Sequence, residues 1–395
     1  MSAGQDTYEA ERIEYFTPAD TQQRRSALNS MLTRELDFDN VRPQILGDQP
    51  YDPKLWRTLI GDVGLGGILA PESVGGLALQ FEDFATTTAE LGRRLYPGPF
   101  FGSVTLVLGA LSSLLEKENG NLKDEEKTDE AGTVRGLAAS VVSGDIVAAL
   151  AFMDDAGSWS PDSTGVLAEQ GSEGWALTGS RGLVVNGPQA STFIVLANSG
   201  SDAGLYAVEA SAAEVTDVAS IDPTRPLGRI GLSLAPAVRI AAGAAAVHAI
   251  EHAVTVARVA IAAESIGGAE AALHESVDYS LRRRQFDQPI GGFQSIKHMC
   301  ADGLIATQAA AAALSYATWA LDDGSAEAPA ALLAAKIAGT ETYMKVAAAC
   351  IHIHGTYGYT RDLVSQCHYR RAKWLSLFLG TNSEDRRRLA SLLEV

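Results

Sequence analysis

RRRQFDQPIGGFQSIKHMCADG, residues 282–303, sets three adjacent arginines, Phe286, a Gly-Gly turn and Gln294 between two long Ala-rich stretches. Pro and Gly interrupt helices, so the segment reads as a short connection joining two of them. Around it, the helical pattern begins after Gly243 and is broken again by DDGSAEAP (322–329) and HGTYGYTRD (354–362), which leaves roughly four helices and predicts a bundle. Alanine favours helix and permits close packing, so the richness itself asks for no functional explanation.

Upstream the rhythm changes. From about 146 to 240 short apolar runs alternate with Gly, Pro, Asp and Ser, as in IVAALAFM (146–153), TFIVLAN (192–198) and GLYAVEA (204–210), the pattern of strands in a small β domain. From about 20 to 115 the spacing is helical again: LWRTLIGDVGL repeats large apolar residues every three or four positions. Residues 116–132, EKENGNLKDEEKTDEAG, are charged and nearly free of large apolar groups, and are expected to form an exposed connection. The reading is therefore α+β with three domains: N-terminal helices over 1–145, a barrel-like β domain over 146–240 and a helical bundle over 241–395.

A chain of 395 residues with 46% hydrophobic side chains can bury large cores. Its net charge of −17 argues against nucleic acid, whose phosphates are gripped by excess Lys and Arg. It contains no uninterrupted run of 18 strongly apolar residues, and its acidic, polar start lacks the basic region and apolar run of a signal peptide. The expectation is a cytoplasmic protein with no membrane partner. Cys300, Cys350 and Cys367 are an odd number without metal-type spacing and read as reduced thiols. The basic clusters Arg282–Arg284, Arg370-Arg371 with Lys373, and Arg386–Arg388 read either as solvated helix faces or as contacts to a phosphorylated ligand.

These motifs together resemble the acyl-CoA dehydrogenase family. PESVGG (71–76) and AELGRRLYPGP (89–99) resemble its N-terminal helical domain, while RRRQFDQPIGGFQSIKHMCADG is similar to its Arg-x-x-Phe-Gly…Phe-Gln-x-x-x-His run. HIHGTYGYTRD (352–362) and YRRAK (369–373) resemble its C-terminal segments. The resemblance implies FAD as cofactor and an acyl-CoA thioester as substrate. It further implies that Arg283, Phe286 and Gln294, with backbone from His352 to Gly355, reach the pyrophosphate and adenosine half of a neighbouring subunit's FAD. Asp287 departs from the family's usual glycine, either repelling phosphate or capping the following turn. In the middle domain, FMDDAGSWSPD (152–162) and RGLVVNG (181–187) lack the family's Trp and Thr against the flavin ring, for which Leu183 and Val185 stand.

Leu379 occupies the place where many members of the family carry the glutamate that removes the proton next to the thioester, and a leucine cannot be that base. The alternative location in the family is matched by Ala257. Two candidates remain. Glu264 lies two helical turns beyond Ala257, ~10 Å away on the same face, and is read either as a base or as a structural ion-pair partner. Arg258 matches an arginine near the family's reaction centre, against the reading of an interhelix salt bridge. The histidine pairs 248/252 and 352/354 have no companion ligands, so no metal is expected. The resemblance leads to one subunit of an α2β2 acyl-CoA dehydrogenase acting on steroid or other bulky acyl groups. A homologous partner would supply the base and the flavin-ring contacts, and an electron-transfer flavoprotein or similar acceptor would take the electrons. The alternatives are a self-sufficient homotetramer using Glu264, a cofactor-free scaffold and a flavin monooxygenase.

Overall fold

A helix of 39 residues, α7 (Ala244–Arg282), runs through the C-terminal half and is buried without interruption from Val259 to Ala269. Alanines and paired glycines make this possible, because neighbouring helices can approach its backbone from every side. The computed structural model describes residues 19–36, 38–46, 51–121, 129–161, 165–172, 174–200, 202–360 and 363–394. α8 (Gln294–Asp322), α9 (Ala328–His354) and α10 (Val364–Leu375) pack with α7 as a bundle, and a last helix, Asn382–Leu392, closes it through a Thr381/Glu384 capping box.

The N-terminal part is helical, with α1 (Ala19–Glu35), α2 (Phe38–Ile45), α3 (Pro53–Arg57), α4 (Phe81–Arg93), α5 (Gly109–Asn121) and α6 (Asp129–Val142); α4 crosses α7, and a buried π-helical segment, Phe101–Leu108, leads into α5. That last helix and the next, Asp129–Val142, extend into the stretch expected to be an exposed connection. The connection is thus shorter than expected at both ends. Glu and Lys are good helix formers, so a charged stretch need not end a helix, and 122–128 fall outside the described residues.

Between the helical parts lie, among the described residues, seven strands, β1 (Ala148–Ala151), β2 (Val166–Gly171), β3 (Gly174–Val185), β4 (Thr192–Ser199), β5 (Asp202–Glu209), β6 (Ala213–Val218) and β7 (Leu227–Ala242). Pairings β4-β2-β3-β7-β5 return to β4, so five strands form a closed ring to which β1 and β6 attach. Closure removes exposed edges, and alternation sends Leu177, Phe193, Val195, Tyr206 and Ile230 into one apolar interior.

The Phe81–Arg93 helix and α7 cross at glycines. A Cβ on Gly267 would collide with the Ala89 carbonyl oxygen, and one on Gly92 would meet the Glu264 backbone at 2.7 Å. Gly267→Ala is therefore expected to destabilise by about 1–3 kcal/mol through overpacking, read as a lower midpoint in thermal unfolding. An unchanged midpoint would mean that the crossing is looser than described.

Candidate functional site

Arg283, Phe286, Gln294, His352 and Gly355 all lie exposed at the ends of α7, α8 and α9. Arg284–Gln285 and Gln288–Pro289 form a hairpin whose two turn residues, Phe286 and Asp287, have φ of 52° and 64°. This is the arrangement of a type I′ turn, which normally calls for Asn-Gly. Asp tolerates the left-handed region better than most residues, so the departure from glycine at 287 keeps the turn. Asp287 makes no cap; instead its carbonyl accepts a bond from Arg284 Nη2 at 2.7 Å. Phe286, in a conformation costly for an aromatic residue, is held outward and is 87% exposed. The side chains of Arg283 and Gln294 show no hydrogen bond or ion pair among the described residues. Gly355, at φ 62° and ψ −140°, lies in backbone space that only glycine enters readily.

The middle domain presents the opposite picture. The side chain of Asp154 accepts hydrogen bonds from the backbone N–H groups of Ala156 and Ser158, both at 2.9 Å, so the 154–158 loop closes on itself. Leu183, at φ 45°, packs its Cδ1 against Gly157, and Val185 is buried. Asn186 is not free for a ligand: its Oδ1 accepts from Gly102 N and its amide bonds Gln189.

Leu379 is 7% exposed and has φ 60°. Lys336 Nζ holds this turn by donating to the carbonyl of Gly380 at 2.9 Å and of Leu379 at 3.5 Å, while pairing with Asp385 at 2.6 Å. Beside it, Phe378 stacks on Trp374 with centroids 4.7 Å apart, and Phe101 meets both edge-on. Burial lowers the Lys336 pKa, opposed by Asp385. Sequence reasoning missed this pair, although a single lysine inside the apolar run APAALLAAKIAGT (328–340) was a signal for it.

Glu264 is buried on α7 with each carboxylate oxygen on a different guanidinium: Oε1 accepts from Arg225 Nη2 at 2.5 Å and Oε2 from Arg371 Nη1 at 3.1 Å. Arg371 also bonds Asp222 and Thr224, and both arginines reach the Tyr96 carbonyl at 3.3 Å. Burial works against the charge on Arg371, but Asp222 and Glu264 outweigh it and its pKa is raised. Burial likewise opposes ionisation of Asp222, yet Arg371 and Arg225 hold its pKa below the usual value. The Arg370-Arg371 cluster is thus neither wholly a solvated face nor a phosphate contact, because Arg371 turns inward. Arg225 also lies over the rings of Phe101 and Trp374, at 5.6 and 5.9 Å. Arg258 is half-buried, its Nε has no hydrogen-bond partner, and burial lowers its pKa against the pull of Asp385.

The histidine pairs separate. His248 Nδ1 meets Ser113 Oγ at 2.9 Å, whereas His252 donates from Nδ1 to the Gly109 carbonyl at 2.7 Å. His352 is exposed, whereas His354 is buried and stacked on Tyr279. Among the described residues no three His, Cys, Asp or Glu side chains gather as a metal site.

Residues 247–393 match the acyl-CoA dehydrogenase C-terminal domain family. The chain is 29% identical over 378 residues to the acyl-CoA dehydrogenase IpdE2 of Mycobacterium tuberculosis, covering 95% of this chain and 97% of that one. Its fold superposes on a chain of the ChsE4-ChsE5 complex from Mycobacterium tuberculosis with a TM-score of 0.80 at 26% identity, covering 97% and 99% of the two chains. On a chain of a variant of the Tcur3481-Tcur3483 steroid ACAD the TM-score is 0.79 at 27% identity, covering 95% and 98%. The fold, the outward arginine arm and these likenesses define an oxidoreductase of the FAD-dependent class. Along its whole length the chain is similar to acyl-CoA dehydrogenases, and over residues 247–393 it matches that family's C-terminal domain.

The residues present fit FAD unevenly. The exposed, unpaired Arg283 and Gln294 suit a pyrophosphate and an adenosine brought by another subunit. The chain's own ring side fits poorly, since the 154–158 N–H groups already have an acceptor and Leu183 fills the space at Gly157.

His368 tests the buried interior from another direction. It is fully buried with its Nδ1 2.7 Å from the Tyr343 hydroxyl, and burial, reinforced by Arg371, pushes its pKa down to about 3. The folded protein therefore refuses a proton that the unfolded chain accepts below about pH 6.5. Stability is expected to be intact above that value and to fall by about 1.4 kcal/mol per pH unit between there and pH 3. Denaturant melts across this range should show that slope, and His368→Asn should flatten it; an equal slope in the variant would assign the proton elsewhere.

Proposed function

We propose that this chain is the base-less subunit of a hetero-oligomeric acyl-CoA dehydrogenase, in which a homologous subunit supplies the glutamate and the flavin-ring contacts. The observation that carries this is the asymmetry between its two half-sites: the arm of Arg283, Phe286 and Gln294 is exposed, with the polar side chains of Arg283 and Gln294 unpaired among the described residues, whereas the ring side is closed and Leu379 stands beside packed aromatics. In the assembled enzyme the bound FAD supplies the hydride acceptor. This chain's part is to neutralise the pyrophosphate of the partner's FAD with Arg283 and to cover its adenosine half. The likeness to chains of two-subunit complexes, one named a steroid ACAD, supports both the pairing and a steroid or similarly bulky acyl group. We further propose an electron-transferring flavoprotein as the acceptor and the cytoplasm as the compartment.

The self-sufficient reading, with Glu264 as base, has less support. A general base needs a lone pair free for the substrate's proton, and both oxygens of Glu264 face guanidinium groups. The scaffold reading leaves the unpaired arm without a use.

Two measurements test the assignment. Produced alone, the chain should retain little FAD; produced with its partner, it should give fewer FAD than polypeptides, and Arg283→Ala should weaken retention by about 1.5–3 kcal/mol. Full FAD occupancy of the chain alone would refute the pairing. Glu264→Gln should act on the fold, costing about 3–5 kcal/mol because it leaves a buried guanidinium underpaired. A variant that melts normally, keeps its FAD and loses turnover would instead make Glu264 the base.

A further inference from the structure

His354 is the last residue of α9 and directly precedes Gly355, yet unlike the exposed His352 it is buried. Its ring lies against the last turns of α7. It stacks on Tyr279 with centroids 4.1 Å apart, and Nε2, which has no hydrogen-bond partner, lies 3.5 Å from Glu275 Oε1. Nδ1 is 2.8 Å from the Cys350 carbonyl oxygen. A carbonyl only accepts, so Nδ1 carries a proton, and a bare Nε2 lone pair facing a carboxylate would be repelled. The ring therefore holds both protons as an imidazolium, a charge that the C-terminal end of a helix also favours. Burial opposes this charge, but Cys350 and Glu275 outweigh it and hold the pKa at about 10. His354 in turn keeps the Glu275 carboxyl below its usual value.

These contacts join two helix ends that carry parts of one arm. The Tyr279 carbonyl accepts the hydrogen bond from Arg283 N at 2.8 Å where α7 ends, and Glu275 lies one turn before Tyr279. On the other side His354 leads straight into Gly355. We propose that His354, stacked on Tyr279 and paired with Glu275, is a positioning residue: it fixes the end of α9 against the end of α7, and so sets the distance between Arg283 and the His352–Gly355 backbone. Both must reach the same dinucleotide at once, so their spacing decides how well it is held. The inference rests on the arm assigned under the proposed function and adds what orients that arm. Without the Glu275 contact the imidazole keeps only its stacking and its bond within α9, neither of which fixes the distance to Arg283.

The test is FAD binding by the co-produced complex after its flavin has been removed, with ADP as a competitor that carries only the pyrophosphate and adenosine half. Glu275 is about one-third exposed, so Glu275→Met spares the fold as read by circular dichroism. Affinity for FAD and for ADP should each fall about tenfold, the scale of one contact to a charged group. Glu275→Gln, whose amide oxygen can still accept from Nε2, should recover most of that loss. Combined with Arg283→Ala, Glu275→Met should add little, because it acts through the placement of Arg283. Unchanged affinity in Glu275→Met, an equal loss in Glu275→Gln, or full additivity with Arg283→Ala would each overturn the inference. Arg283→Ala alone reads the arm itself: a loss there with a silent Glu275→Met sinks only this inference, whereas no loss in Arg283→Ala sinks the proposed function.

Discussion

The buried cluster of Arg371, Asp222, Glu264 and Arg225 is the contact on which the arrangement of the three parts rests. Asp222, Thr224 and Arg225 come from the segment between β6 and β7, Glu264 from α7, Arg371 from α10, and the Tyr96 carbonyl from the loop after the Phe81–Arg93 helix. Two guanidinium and two carboxylate groups balance in charge, and each carboxylate has a guanidinium partner. Such a cluster adds less net stability than apolar side chains of equal volume would, but removing one member strands a buried charge. Its effect is therefore to fix which surfaces meet, as the Gly92 and Gly267 contacts do at the same helix crossing.

That constraint reaches the half-sites. Arg225, held by Glu264, lies against Phe101 and Trp374, and those rings pack with Phe378 beside Leu379. Lys336 and Asp385 fix the Leu379 turn from below. Leu379 thus keeps a left-handed backbone although it has no carboxylate to present. The turn geometry is maintained by packing and by buried hydrogen bonds, so it does not depend on which side chain stands at 379. The outward arm has no comparable support inside the chain and is oriented only by its hairpin and the ends of three helices.

Much of this was legible in the sequence. The change from helical spacing to short strand runs and back gives the order of the parts, because burial on one face imposes a period of 3.6 or 2 on the apolar residues. The Arg283, Phe286 and Gln294 pattern marked an exposed turn, and Leu379 by itself excludes a base at that position, since no environment gives a leucine a titratable group. Asp287 could not be read: its place at a left-handed turn position depends on the hairpin's backbone, which residue types alone leave open.

Tertiary structure decided the rest. Arg370 and Arg371 are adjacent and chemically identical, yet one helical step turns only Arg371 toward Asp222 and Glu264. Glu264 was equally consistent with a base and an ion-pair partner until the two arginines, one from a distant loop, were placed around it. The same holds for α7 and α8, both Ala-rich and apolar: one is enclosed on all sides from Val259 to Ala269, while the other leaves Ile305 and Trp319 in solvent. Composition and period fix that a helix forms and which face is apolar. What covers that face is set by contacts between residues far apart in the chain.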